Sequence, residues 1–338
     1  MGYLMFVQFP HSGFEHQLTK DEEKKSLKDW NYGMHKRKFM KCIGSVVDQN
    51  LKCRESDLYF WGEWEPTSCA ESLDRMADGH ALPKYLEYPV LILNSNGKPT
   101  SPWYASVKCT QTINSVQTKG KRALCQNTDP YVFSDHFLYS CCRQQRKNKR
   151  TKLQDLLPGS IILFGSSFDT KTDDPIFAVD TVFVVGEARE YTPENVKQDL
   201  HGFVPDEYYT IMGFQKWPKR APFTCYQGVS YNERPEGPFS FVPCKTELPL
   251  EGGKRVGFKR PFIRMSDLEY NGNNLVNPLN TRTFSAHVIA SETDAVQLWE
   301  KVKNIILSQG FSLGVQFKHY NSEDLNTLLK EIKPCRKD

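Results

Sequence analysis

Residues 160 to 185 read SIILFGSSFDTKTDDPIFAVDTVFVV: an apolar run, a polar loop and a second apolar run. Runs this short and this rich in Ile, Val and Phe predict strands, with the loop between them as a hairpin. The same texture recurs along most of the chain. Short stretches of Val, Ile, Phe, Tyr and Thr stand between Gly, Pro and Asn at 3–9, 57–64, 89–94, 131–140, 160–168, 177–185, 223–231, 239–245 and 283–290. The expected body is therefore β-rich, and 338 residues with 39% hydrophobic and 12% aromatic content can fill a sizeable core.

Helices are expected only late. SETDAVQLWEKVKNIILSQG has Ser291 as a cap, apolar residues at Val296, Trp299, Val302, Ile305 and Ile306, and a stop at Gly310. FSLGVQFKHY then reads as a strand, and NSEDLNTLLKEIKP as a second helix from near Ser322 to Pro334. The pattern predicts an α+β, β-rich fold. Its core spans residues 1–275, and a helix–strand–helix appendage over 276–338 follows the loop YNGNNLVNPLN.

The net charge of +4, from 44 basic against 40 acidic residues, demands no polyanion partner, so a nucleic-acid role has to rest on local clusters. Ten cysteines include no CxxC pair and no zinc-ribbon spacing, which points to free thiols in a reducing, cytoplasmic setting. No apolar run approaches the ~20 residues of a membrane-spanning helix. Pro10 and His11 break the N-terminal run, and a signal peptide is not expected.

Four segments combine residues that could carry chemistry. VQFPHSGFEHQ sets His11, Glu15 and His16 after the first strand. Zinc hydrolases place two histidines on one helix face, but Pro10 and Gly13 oppose a helix; a metal would need another ligand such as His35 or His136, and polar bracing of a loop is the alternative. DWNYGMHKRKFMK interleaves Trp30 with Lys36, Arg37, Lys38 and Lys41, which suits phosphates and base stacking, or a solvated charged face. WGEWEPTS puts Glu63 and Glu65 beside Trp61 and Trp64. A carboxylate beside an indole can serve as a general acid, whereas core tryptophans with exposed glutamates would have no such role.

The fourth segment, CQNTDPYVFSDHFLYSCCRQQRKNKR from Cys125 to Arg150, is the densest. If 130–140 is one strand, Tyr131, Phe133, Asp135, Phe137 and Tyr139 share a face, with His136 on the other. Asn127 and Asp129 precede it in a loop, and Arg143–Lys152 follows with six Lys or Arg and no acid. Asp129-Pro130-Tyr131 also matches the water-activating Asp-Pro-Tyr of uracil-DNA glycosylases.

Two wider resemblances bear on function. The order of short helix, Pro158-Gly159, strand, hairpin loop and strand resembles the barrel core of the PUA, ASCH and EVE superfamily, which handles RNA or modified DNA bases; it implies such a core over about 120–265. FVQFPHSGFEH, DWNYGMHKRKF, FWGEWEP, NTDPYVFSDHFLYSCCRQ, GSIILFGS, DTVFVV, FSFVP and KRPFI together resemble a bacterial protein family across residues 5 to about 265. That family looks like the phage-defence DNA glycosylases that remove glucosylated hydroxymethylcytosine. Its members often carry Gly-Asp where this chain has Ser134-Asp135, and Asn at Cys141.

The resemblance implies base flipping on modified phage DNA without a cofactor. Asp129 becomes the first catalytic candidate, with Glu15, His16 and Glu65 behind it. Asn127, Tyr131, Phe133, Trp64 and His136 become base-binding residues. Lys36, Arg37, Lys38, Arg146, Lys147, Lys149 and Arg150 become phosphate-binding residues. A reader that flips a modified base without cutting is the first alternative, and a metal-dependent nuclease or hydrolase using His11, Glu15 and His16 the second.

Overall fold

The apolar runs at 161–168 and 176–185 lie at the centre of the molecule with a core on each face, which is why they read as continuous rather than alternating. The computed structural model describes residues 2–11, 27–28, 37–64, 68–73, 83, 85–89, 112–113, 116–117, 129–147, 149–168, 171, 174–212, 222–281 and 283–318. Two sheets hold β1 (Met5–Pro10), β2 (Leu27–Lys28), β3 (Arg37–Val47), β4 (Cys53–Glu63), β5 (Ser68–Ser72), β6 (Tyr85–Pro89), β7 (Tyr131–Phe133), β8 (His136–Tyr139), β9 (Ile161–Phe168), β10 (Ile176–Tyr191), β11 (Phe223–Gly228), β12 (Val242–Lys245), β13 (Phe262–Arg264), β14 (Ser285–Val288) and β15 (Ser312–Lys318). The β-rich reading is therefore correct.

The first sheet runs β14-β1-β9-β10-β11-β8-β7, with β13 against β10. β9 and β10 form the expected hairpin, antiparallel from Ile161 opposite Val184 to Phe168 opposite Ile176, and β1 lies parallel to β9. Ile161 and Leu163 enter one core and Ile162 and Phe164 the other. The register shifts between Phe164 and Gly165, where a Cβ on Gly165 would sit 2.2 Å from the Ala178 carbonyl oxygen. Only glycine fits that approach of β9 to β10.

The second sheet runs β2-β5-β6-β3-β15-β12-β4, and β3 also pairs with β4, so β3, β4, β12 and β15 close into a four-strand circuit. The long β3–β4 hairpin is in register from Arg37 opposite Glu63 to Val47 opposite Cys53. Bridges between Val182 and Phe241 and between Ser134 and Phe317 stitch the first sheet to segments of the second.

Two expectations need correction. The C-terminal part is not an appendage: β14 pairs with β1 in the first sheet, and β15 is inserted between β3 and β12 in the second. Even the proposed boundary loop is locked down, since Gln8 exchanges hydrogen bonds with the backbone of Asn277 at 3.0 and 2.8 Å. Two short helices, α1 (Val196–Asp199) and α2 (Asp206–Met212), follow β10, and α3 (Glu292–Ser308) starts at its Ser291 cap as expected. Leu298, Trp299, Val302 and Ile306 of α3 are buried, and the Trp299 indole donates to the Phe239 carbonyl at 3.0 Å; Val296 faces out. The expected helix after Ser322 and residues 90–94 lie outside the described residues.

The second correction concerns 131–140, which is a tight hairpin rather than one strand. The chain turns at Ser134, whose φ is +54°, and Asp135, pairing His136 with Phe133. Alternation is lost across the turn, and Phe137, Leu138 and Tyr139 of β8 are all buried.

Phe317, 1% exposed, packs against Phe60 and Phe137 at ring distances of 5.0 and 6.2 Å. Phe317→Ala should destabilise the whole protein by ~3–5 kcal/mol in one urea transition; a separate transition for the C-terminal part would contradict this packing. Burial also raises the Cys42, Cys225 and Cys244 thiols well above the ordinary range. Iodoacetamide at pH 8 should label exposed Cys53 in the native protein and those three only after denaturation, as read by peptide mass spectrometry.

Candidate functional site

Three strand ends meet where the two sheets face each other. The β3–β4 register sets Arg37 directly opposite Glu63. His11 follows β1, and its backbone N–H donates to the Gly165 carbonyl at 2.8 Å, which extends the β1–β9 pairing by one residue. From the first sheet, Asp180 of β10 points into the same place. Arg260, from the segment leading into β13, closes the group.

The contacts form a chain. Glu63 Oε2 lies 2.6 Å from His11 Nδ1 and 3.7 Å from an Arg37 terminal nitrogen. Arg37 Nε donates to Asp180 Oδ2 at 2.5 Å, and Arg260 Nη1 donates to the same oxygen at 3.3 Å and to Ser166 Oγ at 3.2 Å. All five charged or titratable residues are buried, with Arg37 at 0% exposure. Burial opposes the charge of Arg37, but Asp180 and Glu63 outweigh it and raise its pKa. An ionised carboxylate can only accept, so opposite an ionised Glu63 the proton of this contact lies on His11 Nδ1.

Buried charge of this kind needs a reason. A hydrophobic replacement of a buried ion pair is often as stable or more so, and clusters of perturbed titratable groups concentrate at functional sites. A carboxylate–imidazole pair backed by a guanidinium can orient water, move a proton and offset developing positive charge.

The expected catalytic residue Asp129 sits elsewhere and does something else. It is 0% exposed, follows no open face, and spends its carboxylate on the backbone N–H groups of Ser140, Cys141 and Cys142, each at 2.8 Å. Burial raises its pKa, against the opposing effect of those hydrogen bonds. Asp129 thus clamps the turn after β8, with both of its oxygens engaged by backbone N–H groups. The Asp129, Cys141 and Cys142 ligand atoms lie within 4.8 Å of one another, but the N–H groups already use both oxygens of the carboxylate.

Arg37 and Lys38 also differ from expectation. Both are 0% exposed, and the Lys38 ammonium lies 3.6 Å from Glu87, so neither faces a phosphate; the alternating pleat turns them into opposite cores rather than to solvent. Arg146, Lys147, Lys149 and Arg150 do lie on the surface, in a small hairpin, with Arg150 bound to Asp155 at 3.1 Å and Glu190 at 2.8 Å.

The proposed base-binding aromatics are brought together. Trp64 and Tyr131 rings are 6.5 Å apart, and Tyr131 and Phe133 are stacked at 6.0 Å. Trp64 and Tyr131 are inside, leaving Phe133 as the partly exposed end of the row. His136 is partly exposed, 3.9 Å from Asp135. Glu15, His16, Glu65, Asn127 and Lys36 lie outside the described residues. Of the proposed metal trio, His11 turns its Nδ1 to Glu63.

Asp180 and Arg260 are the residues that motif reasoning passes over. A signal for Asp180 was nonetheless present: it is the one charge between Ile176 and Val185, and an acid inside an apolar strand requires a buried partner. Asp180→Asn leaves Arg37 and Arg260 short of counter-charge and should cost ~3–5 kcal/mol by chemical denaturation. Asp129→Ala leaves three N–H donors without their acceptor and should cost at least ~3 kcal/mol in the same measurement; normal stability would remove its clamping role. No protein-family model, no curated protein and no solved structure matches this chain.

Proposed function

We propose that this chain is a DNA N-glycosylase that excises a modified base, glucosylated hydroxymethylcytosine of phage DNA, and leaves an abasic site in anti-phage defence. The observation that carries the reading is the 2.6 Å pair of Glu63 and His11, braced by Arg37, in a site screened from water. Glu63 takes the charge-stabilising role first given to Asp129, and His11 serves as the base toward water. Glu63 holds the Nδ1 proton, and His11 Nε2 accepts a proton from the water that attacks C1′. The C1′–N bond breaks with its electron pair leaving on the base, and the negative Glu63 offsets positive charge developing on the sugar.

The surroundings support the same reading. An extruded base needs a flat apolar platform, and Phe133, backed by Tyr131 and Trp64, offers one. Arg146, Lys147 and Lys149 present cations to a phosphate backbone. The turn at Pro158-Gly159, with Gly159 at φ +86°, feeds β9 and the β9–β10 hairpin, which supports a PUA-like reading of 120–265.

The test is base release from glucosylated phage DNA, with abasic sites revealed by alkaline cleavage and unmodified DNA as control. Glu63→Gln and His11→Gln should each slow release by ~10²-fold or more while far-ultraviolet circular dichroism stays native. Tight binding without alkali-labile sites would replace the glycosylase by a modified-base reader. Loss of activity in chelator would point instead to a metal-dependent hydrolase.

A further inference from the structure

Arg143 is unlike the other guanidiniums around the site. Arg37 and Arg260 share Asp180, and Arg150 is held by Asp155 and Glu190. Arg143 is half-buried and has no ion pair among the described residues; its Nη1 is buried without a hydrogen-bond partner. Its guanidinium lies 4.8 Å from the centre of the Phe9 ring, and His11 is among the rings packed against Phe9, at 4.9 Å. Burial, together with the like charge of Arg37, holds its pKa below the ordinary value, although Cys142, Tyr139 and Glu63 act the other way.

A guanidinium so placed is costly. The backbone at Arg143 adds strain, with φ at +59°, a conformation that L-residues other than Asn and Asp rarely adopt. No ion pair among the described residues offsets these costs, while an arriving oxyanion would: a planar fork of donors matches two phosphate oxygens, and the Phe9 face fixes its orientation. Arg143 also opens the segment that leads into the exposed basic hairpin.

We infer that Arg143 is a receptor for a phosphate group, set beside the His11–Glu63 pair and continuous with the basic hairpin. That the phosphate belongs to a DNA strand rests on the glycosylase reading; that Arg143 takes a phosphate does not.

Two measurements on the full chain separate these claims. The first is thermal melting in inorganic phosphate against sodium chloride of equal ionic strength. The second is fluorescence anisotropy of a labelled glucosylated DNA across a salt series. Phosphate should raise the melting temperature of the wild type beyond the chloride control. Arg143→Gln should melt at the same temperature or higher without phosphate, because it removes an uncompensated charge, and should lose the phosphate-dependent rise. It should bind the DNA ~10-fold or more weakly, with a salt slope shallower by about one.

Arg143→Lys keeps the charge without the fork, should be intermediate, and serves the comparison if the Gln variant does not fold. Arg146→Gln should weaken DNA binding and leave the phosphate response intact. An Arg143-dependent phosphate response without DNA binding would keep the receptor, assign it a phosphomonoester ligand and remove the glycosylase reading. A wild type that responds to neither probe, or Arg143 variants that respond to both as the wild type does, would overturn the proposal.

Discussion

The aspartate at position 180 enters the middle of an apolar strand, and much of the architecture around it follows from that placement. An isolated carboxylate buried in a low-dielectric interior would be prohibitively unstable, so cations must reach it. Two do, from separate parts of the chain: Arg37 at the head of β3 and Arg260 before β13. The bond from Arg37 to Asp180 therefore ties the first residue of the long hairpin in one sheet to the central strand of the other. It also orients Arg37 so that another of its nitrogens lies 3.7 Å from Glu63, and Glu63 in turn holds His11. A structural necessity in β10 is in this way transmitted to the one imidazole–carboxylate pair among the described buried residues.

The same arrangement explains why the reactive groups stand at strand ends. Interior positions of β1, β3 and β4 are committed to two apolar cores, with Val7, Phe9, Phe39, Met40, Phe60 and Trp61 all buried. Three of the polar groups of the cluster stand where pairing stops. There the fold aligns His11, Arg37 and Glu63, and a rigid strand behind each residue limits its freedom, the condition for preorganised chemistry.

Asp129 shows how the same residue type acquires a different task. Its short distance in sequence from an aromatic hairpin invited a catalytic role, but three backbone N–H groups converge on it and use its oxygens to shape the turn at 140–142. Arg143 follows that turn, so the clamp helps place a guanidinium over Phe9. Ser134 takes the left-handed conformation glycine adopts without strain, which accounts for the reversal that divides 131–140 into two short strands.

The sequence by itself determined the element types. Apolar runs punctuated by Gly and Pro gave β9 and β10 as a hairpin, and the cap at Ser291 with the stop at Gly310 gave α3, because these signals depend on neighbours within a few residues. It also singled out His11, Arg37 and Glu63 as chemically notable residues. It did not reveal that they meet, nor that Asp180 and Arg260 join them, because those contacts span up to 143 residues and depend on sheet order and register. Nor did it reveal that β14 and β15 belong inside the sheets: a short strand's partner is chosen by the edge that needs pairing and by the core its side chains complete. Partners separated Asp129, held by backbone N–H groups, from Glu63, held by an imidazole and a guanidinium, and those partners are a property of the assembled layers rather than of any local run of residues.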